Sequence, residues 1–182
     1  MTRKKKFSEE EIMQATEELL LERGYDHFHF KALSERLAIS RSTIYEYYAN
    51  KEELIKVYMQ KIMQSIFTEL EQIEKEDAPL TQLKQILQLF LKYYKIRHVF
   101  HSQQFVFSEN MRDMFKEFER IRMIIVQIIR RGQELELIRT DIPEDMMVNL
   151  FFYAIEMPNW QGASVEEMSE NLYKIFVEGI KR

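Results

Sequence analysis

The sequence predicts an all-α protein, and three observations support this class. Only 4 of the 182 residues are Gly and 3 are Pro, so the chain has few of the residues that form tight β-turns. Hydrophobic residues make up 46% of the chain, which is enough to build a buried core. They recur at intervals of three and four residues, which places them on one face of a helix. The periodicity predicts about nine helices and no strand.

The composition also limits the kind of protein. The chain contains no Cys, which excludes disulfides, thiolate metal ligands and a thiol nucleophile. The longest apolar runs, 123–126 and 150–155, are far shorter than the roughly 20 residues of a membrane span. Residues 3–6 are basic but are followed by acidic residues, so no secretory signal is expected. We therefore expect a cytoplasmic protein without a membrane partner.

The N-terminal part of the chain predicts three helices. A capping-box pattern at Ser8 begins the first helix, and Gly24 is positioned to end it. A second, short helix is expected at about 30–37 and a third at about 41–47, where Ser40 is a favourable N-cap. Two short helices joined by a corner of three or four residues make a helix-turn-helix. We expect this motif to be the functional centre of a domain formed by residues 1–50.

Residues 51–182 predict a second domain that is also helical. One long helix should run to about residue 73, and a helix from Pro79 should reach about residue 96. A shorter apolar segment, 98–107, follows. Starts of further helices are expected at Ser108, which opens a helix ending near Gly132, at Pro143 and at Ser164.

The third helix has the surface of a DNA-reading helix. At about 100° per residue, Ile44 and Tyr48 form its buried side. The outward positions carry hydroxyls, one guanidinium and one carboxylate, on Arg41, Ser42, Thr43, Tyr45, Glu46 and Tyr47. Such groups can bond to phosphates and to base edges in a major groove. Taken alone, the pattern also fits a short amphipathic connector in a helical bundle.

The block from Ser40 to Leu54 resembles the TetR family of transcriptional regulators. The family pattern is Ser, a basic residue, a small residue, Thr, an aliphatic residue, Tyr, any residue, Tyr, an aromatic residue, two variable positions and Lys-Glu-x-Leu. Every fixed position matches. The resemblance extends upstream through Ile12, Ala15, 22–25 and 33–37. It implies a helix-turn-helix domain followed by a helical domain that binds a small molecule and forms a homodimer.

The resemblance also implies roles for individual residues. Arg41, Ser42 and Thr43 would enter the groove, and Tyr45 and Tyr47 would pack against sugar and phosphate. Lys51 would add charge where a helix start points backbone N–H groups at a phosphate. The basic residues 3–6 would reach the minor groove or remain a solvated tail. The full expected DNA-binding set is Lys31, Ser40, Arg41, Ser42, Thr43, Tyr45, Glu46, Tyr47 and Lys51.

Three positions depart from the family pattern. Ala38 replaces the usual Gly of the turn, and Ser42 replaces the usual Gly at the start of the recognition helix. Phe28 stands where a Thr usually caps the second helix and contacts phosphate. Candidates to take over that contact are His27, His29 and Lys31.

The second domain is rich in Met and aromatic residues. Met repacks around varied shapes, so this composition suits an adaptable apolar pocket. The candidate ligand-binding residues are Met63, Ile66, Phe67, Phe90, Tyr94, His98, Phe105, Met111 and Phe115. The resemblance implies dimerisation through the last two helices, and the candidate interface residues are Phe151, Ile155, Leu172 and Phe176.

We expect a regulator that binds double-stranded operator DNA, specifically a homodimeric repressor released by a small apolar or aromatic inducer, with no cofactor or metal. The alternative is a protein–protein adaptor with weak DNA binding, because residues 1–56 carry 10 Lys/Arg against 11 Asp/Glu. An enzyme is disfavoured, because the chain has no Gly-rich phosphate loop, zinc-binding His-Glu motif or nucleophile elbow. His98 and His101 are suitably spaced for a metal, but no third ligand is evident.

Overall fold

The computed structural model describes residues 8–94, 111–157 and 162–181, and for residues 111–115 it describes the backbone only. These residues form eight helices and no strand, so the all-α prediction is confirmed. The helices are α1 (Glu9–Arg23), α2 (Phe30–Leu37), α3 (Arg41–Tyr45), α4 (Lys51–Ile73), α5 (Pro79–Lys92), α6 (Met111–Glu134), α7 (Glu144–Ile155) and α8 (Val165–Ile180). None of these described helices combines the length and apolar character that a membrane span needs.

The described residues fall into two compact units. The first contains 8–64, which comprises α1, α2, α3 and the first part of α4. The second contains 65–94, 112–157 and 162–181. The helix α4 is continuous, so its first part belongs to one unit and its remainder to the other.

The first unit is built on the start of α1. Ser8 Oγ accepts from the N–H of Glu11 at 3.2 Å, and Glu11 Oε2 accepts from the N–H of Ser8 at 2.9 Å, which confirms the predicted capping box. Gly24 ends the helix with a φ of 73°, a conformation that favours glycine. The buried face of α1 packs on α2, and α2 contacts α3.

The helix α4 begins at a cap that the sequence indicates. Asn50 Oδ1 accepts from the N–H of Glu53 at 2.8 Å. The apolar residues spaced along the helix are buried, namely Leu54, Ile55, Tyr58, Met59, Ile62, Met63, Ile66 and Leu70. The predicted long helix ending at about residue 73 is therefore confirmed.

The second unit is centred on α5, which packs against α7 and α8. The buried side of α5 carries Leu83, Ile86 and Leu87. The helix begins at Pro79 as predicted but ends at Lys92, short of the expected residue 96. Proline suits a helix start because its missing N–H would have no helical partner there.

The helix α6 passes through Gly132, which was expected to mark its end, and continues to Glu134. A Cβ at this glycine would lie 2.5 Å from Cδ1 of Ile138, which folds back over the helix. The glycine therefore permits a close approach, and the helix ends instead where Glu136 adopts a φ of 58°.

A hydrogen-bonded tie fixes the link between α4 and α5. Arg131 Nη2 donates to the carbonyl oxygens of Glu76 and Asp77 at 3.1 Å each, and to Gln82 Oε1 at 2.7 Å. The buried Gln82 in turn donates from Nε2 to the carbonyl oxygen of Ile73 at 2.9 Å. The link is thus held by donors from α5 and α6.

Candidate nucleic-acid interface

The turn of the helix-turn-helix is formed by Ala38. This residue ends α2 in the left-handed conformation, with φ 53° and ψ 44°. The turn is closed by the Ile39 N–H, which donates to the carbonyl oxygen of Ser34 at 3.0 Å. An L-residue with a Cβ is disfavoured in this conformation, so the chain retains the turn geometry of a glycine at an energetic cost.

The recognition helix α3 buries one side and exposes the other. Ile44 has no exposed surface, and Tyr48, just beyond the helix, is also buried. Arg41, Ser42, Tyr45, Glu46 and Tyr47 are exposed, and Thr43 is half-buried. The predicted distribution of buried and outward positions is confirmed, although α3 ends at Tyr45, two residues before the expected boundary.

Three hydroxyls at the start of α3 form what we call the hydroxyl cluster: Ser40, Ser42 and Thr43. Ser40 Oγ accepts from the backbone N–H of Thr43 at 3.2 Å, as the N-cap prediction requires. The same oxygen lies 2.7 Å from Ser42 Oγ and 2.8 Å from Thr43 Oγ1. The hydroxyls expected to reach DNA are therefore hydrogen-bonded to one another in the free protein.

Two tyrosines stand at the exposed end of the motif. The Tyr45 ring packs edge-on against the Phe30 ring, with 5.0 Å between centroids and 66° between planes. Phe30 is buried, whereas more than half of the surface of Tyr45 remains exposed. The contact holds the Tyr45 ring from behind, while Tyr47 is similarly exposed on the adjacent turn.

The start of α2 is capped by His29, a role the sequence analysis did not assign to it. His29 Nδ1 accepts from the N–H of Ala32 at 3.3 Å, and Phe28 is buried in the core. Because Nδ1 accepts this bond, Nε2 is the ring nitrogen left to act as a donor. His27, His29 and Lys31 are all exposed.

The cations of this unit have different environments. Arg36 bridges to Glu18 at 3.3 Å and to Glu22 at 2.5 Å on α1, and its guanidinium lowers the pKa of the Glu22 carboxyl. Within the described part of the chain, Lys31 and Arg41 are exposed and form no ion pair. Lys51, also expected to bind phosphate, is half-buried and donates from Nζ to the carbonyl oxygen of Tyr25 at 3.1 Å.

The candidate ligand-binding residues are only partly described. Met63 is buried in the first unit and Ile66 in the second. Phe67, Phe90 and Tyr94 are partly exposed in the second unit, and Phe67 lies 4.4 Å beneath the Arg120 guanidinium. The remaining candidates fall outside the described residues or side chains, namely His98, Phe105, Met111 and Phe115.

The candidate dimer residues are placed differently from the expectation. Phe151, Leu172 and Phe176 are buried within the single subunit, and the rings of Phe151 and Phe176 pack 5.3 Å apart. Ile155 is half-buried. The large apolar residues exposed on these two helices are instead Met146, Leu150 and Tyr153 on α7 and Ile175 on α8. The three buried residues stabilise the subunit interior and offer no surface to a partner.

Comparison with known proteins agrees with this geometry. Residues 12–58 match the model of the bacterial regulatory proteins, tetR family, and the match spans α1, α2, α3 and the start of α4. No curated protein sequence matches the chain.

Among solved structures, the ketosteroid regulator KstR2 of Mycobacterium tuberculosis superposes with a TM-score of 0.82, 14% identity and coverage of 95% of this chain and 94% of that one. FadR of Bacillus subtilis, in complex with stearoyl-CoA, superposes with a TM-score of 0.75 and 18% identity, and the match covers 95% of this chain and 100% of FadR. AibR, in complex with isovaleryl coenzyme A and operator DNA, superposes with a TM-score of 0.77 and 12% identity, and the match covers 90% of this chain and 95% of AibR. At these identities the structures establish a shared fold.

An N-terminal helix-turn-helix with an exposed polar recognition helix, followed by a helical domain, defines a DNA-binding transcriptional regulator. The N-terminal domain matches the tetR family model, and the described chain shares its fold with solved regulators such as KstR2.

Proposed function

We propose that the chain is a homodimeric repressor whose recognition helix α3 reads operator DNA and whose helical domain binds an apolar inducer. The observation that carries the proposal is the exposed surface of α3. Arg41, Glu46 and the hydroxyl cluster stand outward over a side sealed by Ile44. A guanidinium can bond to guanine in bidentate fashion, and a carboxylate can accept from cytosine, so this surface can distinguish base pairs.

The ligand class is suggested by partly exposed aromatic residues of the second unit. The rings of Phe90 and Phe152 are tilted by 55° with 6.1 Å between their centroids, and Phe67 lies beside the cation of Arg120. Aromatic faces next to a guanidinium suit a molecule with an apolar body and an anionic group. Acyl-CoA thioesters have this chemistry, and two proteins of the same fold are described in complex with them. They are the first ligands to test.

The helix α4 provides a route from ligand to DNA. It begins at Lys51, directly after the helix-turn-helix, and runs without a break past Met63 and Phe67. A ligand that prefers one arrangement of α4 shifts the population of DNA-binding conformations by its difference in affinity for the two. Operator DNA must then weaken ligand binding by the same factor as the ligand weakens DNA binding.

The dimer surface is proposed on the exposed faces of α7 and α8. Met146, Leu150 and Tyr153 recur at four and three residues, which aligns them along one side of α7, and Ile175 is exposed on α8. Apolar stripes of this kind mark an interaction surface. A two-fold dimer would present two recognition helices to successive major grooves, so the operator should be a near-palindrome.

Binding-site selection from a random-sequence duplex pool tests this function. The wild-type chain should enrich a near-palindromic sequence, and Arg41→Ala should enrich a less defined one. Long-chain acyl-CoA should then reduce binding to the selected duplex, and calorimetry should show that this duplex reduces acyl-CoA binding by the same factor. If no sequence is enriched, the adaptor alternative is favoured. If a duplex binds but acyl-CoA has no effect, the ligand class is wrong.

A further inference from the structure

The ammonium group of Lys51 lies against the segment that precedes the helix-turn-helix. Its Nζ donates to the Tyr25 carbonyl oxygen at 3.1 Å and stands 4.4 Å from the centroid of the Tyr25 ring. Lys51 is half-buried, and only 3% of Tyr25 is exposed. A carbonyl dipole and an aromatic face therefore hold this cation within the first unit, and both are attractive to an ammonium ion.

This contact joins the two ends of the helix-turn-helix. Tyr25 lies in the link between α1 and α2, and Lys51 is the first residue of α4 after α3. The same end is fixed by a second pair of bonds. Glu53 Oε2 accepts from the Ala49 N–H at 2.6 Å, and the Glu53 N–H donates to Asn50 Oδ1 at 2.8 Å. The Lys51–Tyr25 contact thus holds the segment before α2 to the segment after α3, and the Glu53 bonds fix the start of α4 on which Lys51 stands.

We propose that Lys51 is a positioning residue, whose side chain fixes the helix-turn-helix from within rather than neutralising a DNA phosphate. The inference rests on the proposed DNA-binding function. Each phosphate that a protein cation neutralises releases condensed counterions and steepens the salt dependence of binding. A lysine that only orders the domain changes affinity and stability and leaves the salt dependence as it was.

The test compares Lys51→Met with Lys31→Met, the matched control on the exposed start of α2. Binding to the selected operator duplex is measured by fluorescence anisotropy from about 50 to 200 mM salt, and unfolding is measured in urea. Lys51→Met should lower the urea midpoint and weaken binding about three- to tenfold, as expected for loss of a cation–π contact. The slope of the logarithm of its binding constant against the logarithm of the salt concentration should remain that of wild type. Lys31→Met should keep the midpoint and make the slope shallower by about 0.9.

A Lys51→Met slope that is shallower by about 0.9, with an unchanged midpoint, would overturn the inference. Lys51→Arg retains the charge and both contacts and should behave as wild type. Tyr25→Leu covers the case in which Lys51→Met does not fold. It leaves the lysine charge intact and should weaken binding with a wild-type slope, so unweakened binding would also overturn the inference. Failure of the wild type to bind any duplex would contradict the proposed function itself, and the inference with it.

Discussion

The ring of Tyr45 is held edge-on by the buried ring of Phe30, 5.0 Å away, and its exposed part faces outward from the helix-turn-helix. Tyr45→Phe keeps this ring contact and removes only the exposed hydroxyl. We expect its unfolding free energy to stay within about 0.5 kcal/mol of wild type. DNA affinity should fall by about 0.5–1.5 kcal/mol, measured by anisotropy on the selected duplex. Wild-type affinity would show that the hydroxyl does not contact DNA.

Arg41 and Tyr47 should affect DNA binding in different ways. Arg41→Ala should reduce discrimination at one base pair by about 1–3 kcal/mol, because a bidentate guanidinium contact is lost. Tyr47→Ala should weaken binding about equally across sequences, because contacts to sugar and phosphate position the protein without specifying bases. Affinities for a panel of single-base operator variants distinguish the two results. A uniform loss for Arg41→Ala would exclude base recognition by this residue.

Ala38→Gly should stabilise the protein. Glycine removes the cost of about 1–2 kcal/mol that the left-handed conformation imposes on Ala38. The larger freedom of glycine in the unfolded chain offsets about 0.4–1 kcal/mol of this gain. A net gain of about 0.5–1 kcal/mol is therefore expected in urea unfolding. The control Ala32→Gly, within α2, should lose about 1 kcal/mol or more. A less stable Ala38→Gly protein would contradict the assigned conformation.

Two glycines of the second unit should respond oppositely to alanine. At Gly132 the new Cβ would meet Ile138 Cδ1 at 2.5 Å, so Gly132→Ala should destabilise by about 1–3 kcal/mol. At Gly179, in α8, nothing lies within 4 Å of the new Cβ, so Gly179→Ala should stabilise by about 0.5–1 kcal/mol. Thermal and urea unfolding measure both. Equal effects would contradict the close approach of Ile138.

Substitutions on α7 and α8 should separate assembly from folding. Leu150→Glu combined with Tyr153→Glu should give a folded monomer, because both side chains are exposed in the single subunit. Leu172→Arg should instead unfold the subunit or make it insoluble, because it buries a charge in the interior. Sedimentation velocity and circular dichroism distinguish these outcomes. A folded dimer carrying both glutamates would exclude the proposed surface.

The sequence predicts most of the local structure because helix ends depend on near neighbours. The caps at Ser8, Ser40 and Ser164 each involve a backbone N–H three residues on, and all three form. The buried and outward sides of α3 likewise follow from helical geometry, with Ile44 on the buried side. The exposed surface of α3 can therefore be predicted from the sequence.

Other features depend on contacts between distant residues. Lys51 turns toward Tyr25, 26 positions earlier, and no local pattern indicates that pairing. Periodicity likewise places Phe151 and Phe176 on apolar faces but does not say whether such a face meets its own core or another subunit. The family pattern places the cap of α2 at Phe28, one position before His29, so it does not indicate the cap that forms.

The hydroxyl cluster has a consequence for how strictly DNA is read. Ser40, Ser42 and Thr43 already bond to one another, so each hydroxyl keeps a hydrogen-bond partner even when a base pair offers it none. Contact with DNA is for these groups an exchange of one hydrogen bond for another, which changes free energy little. Rejection of wrong sequences arises where an interface leaves a polar group unpaired. Under the proposed function, discrimination between sequences should therefore come from the charged groups of Arg41 and Glu46, while the hydroxyl cluster should tolerate variation in the base pairs that it meets.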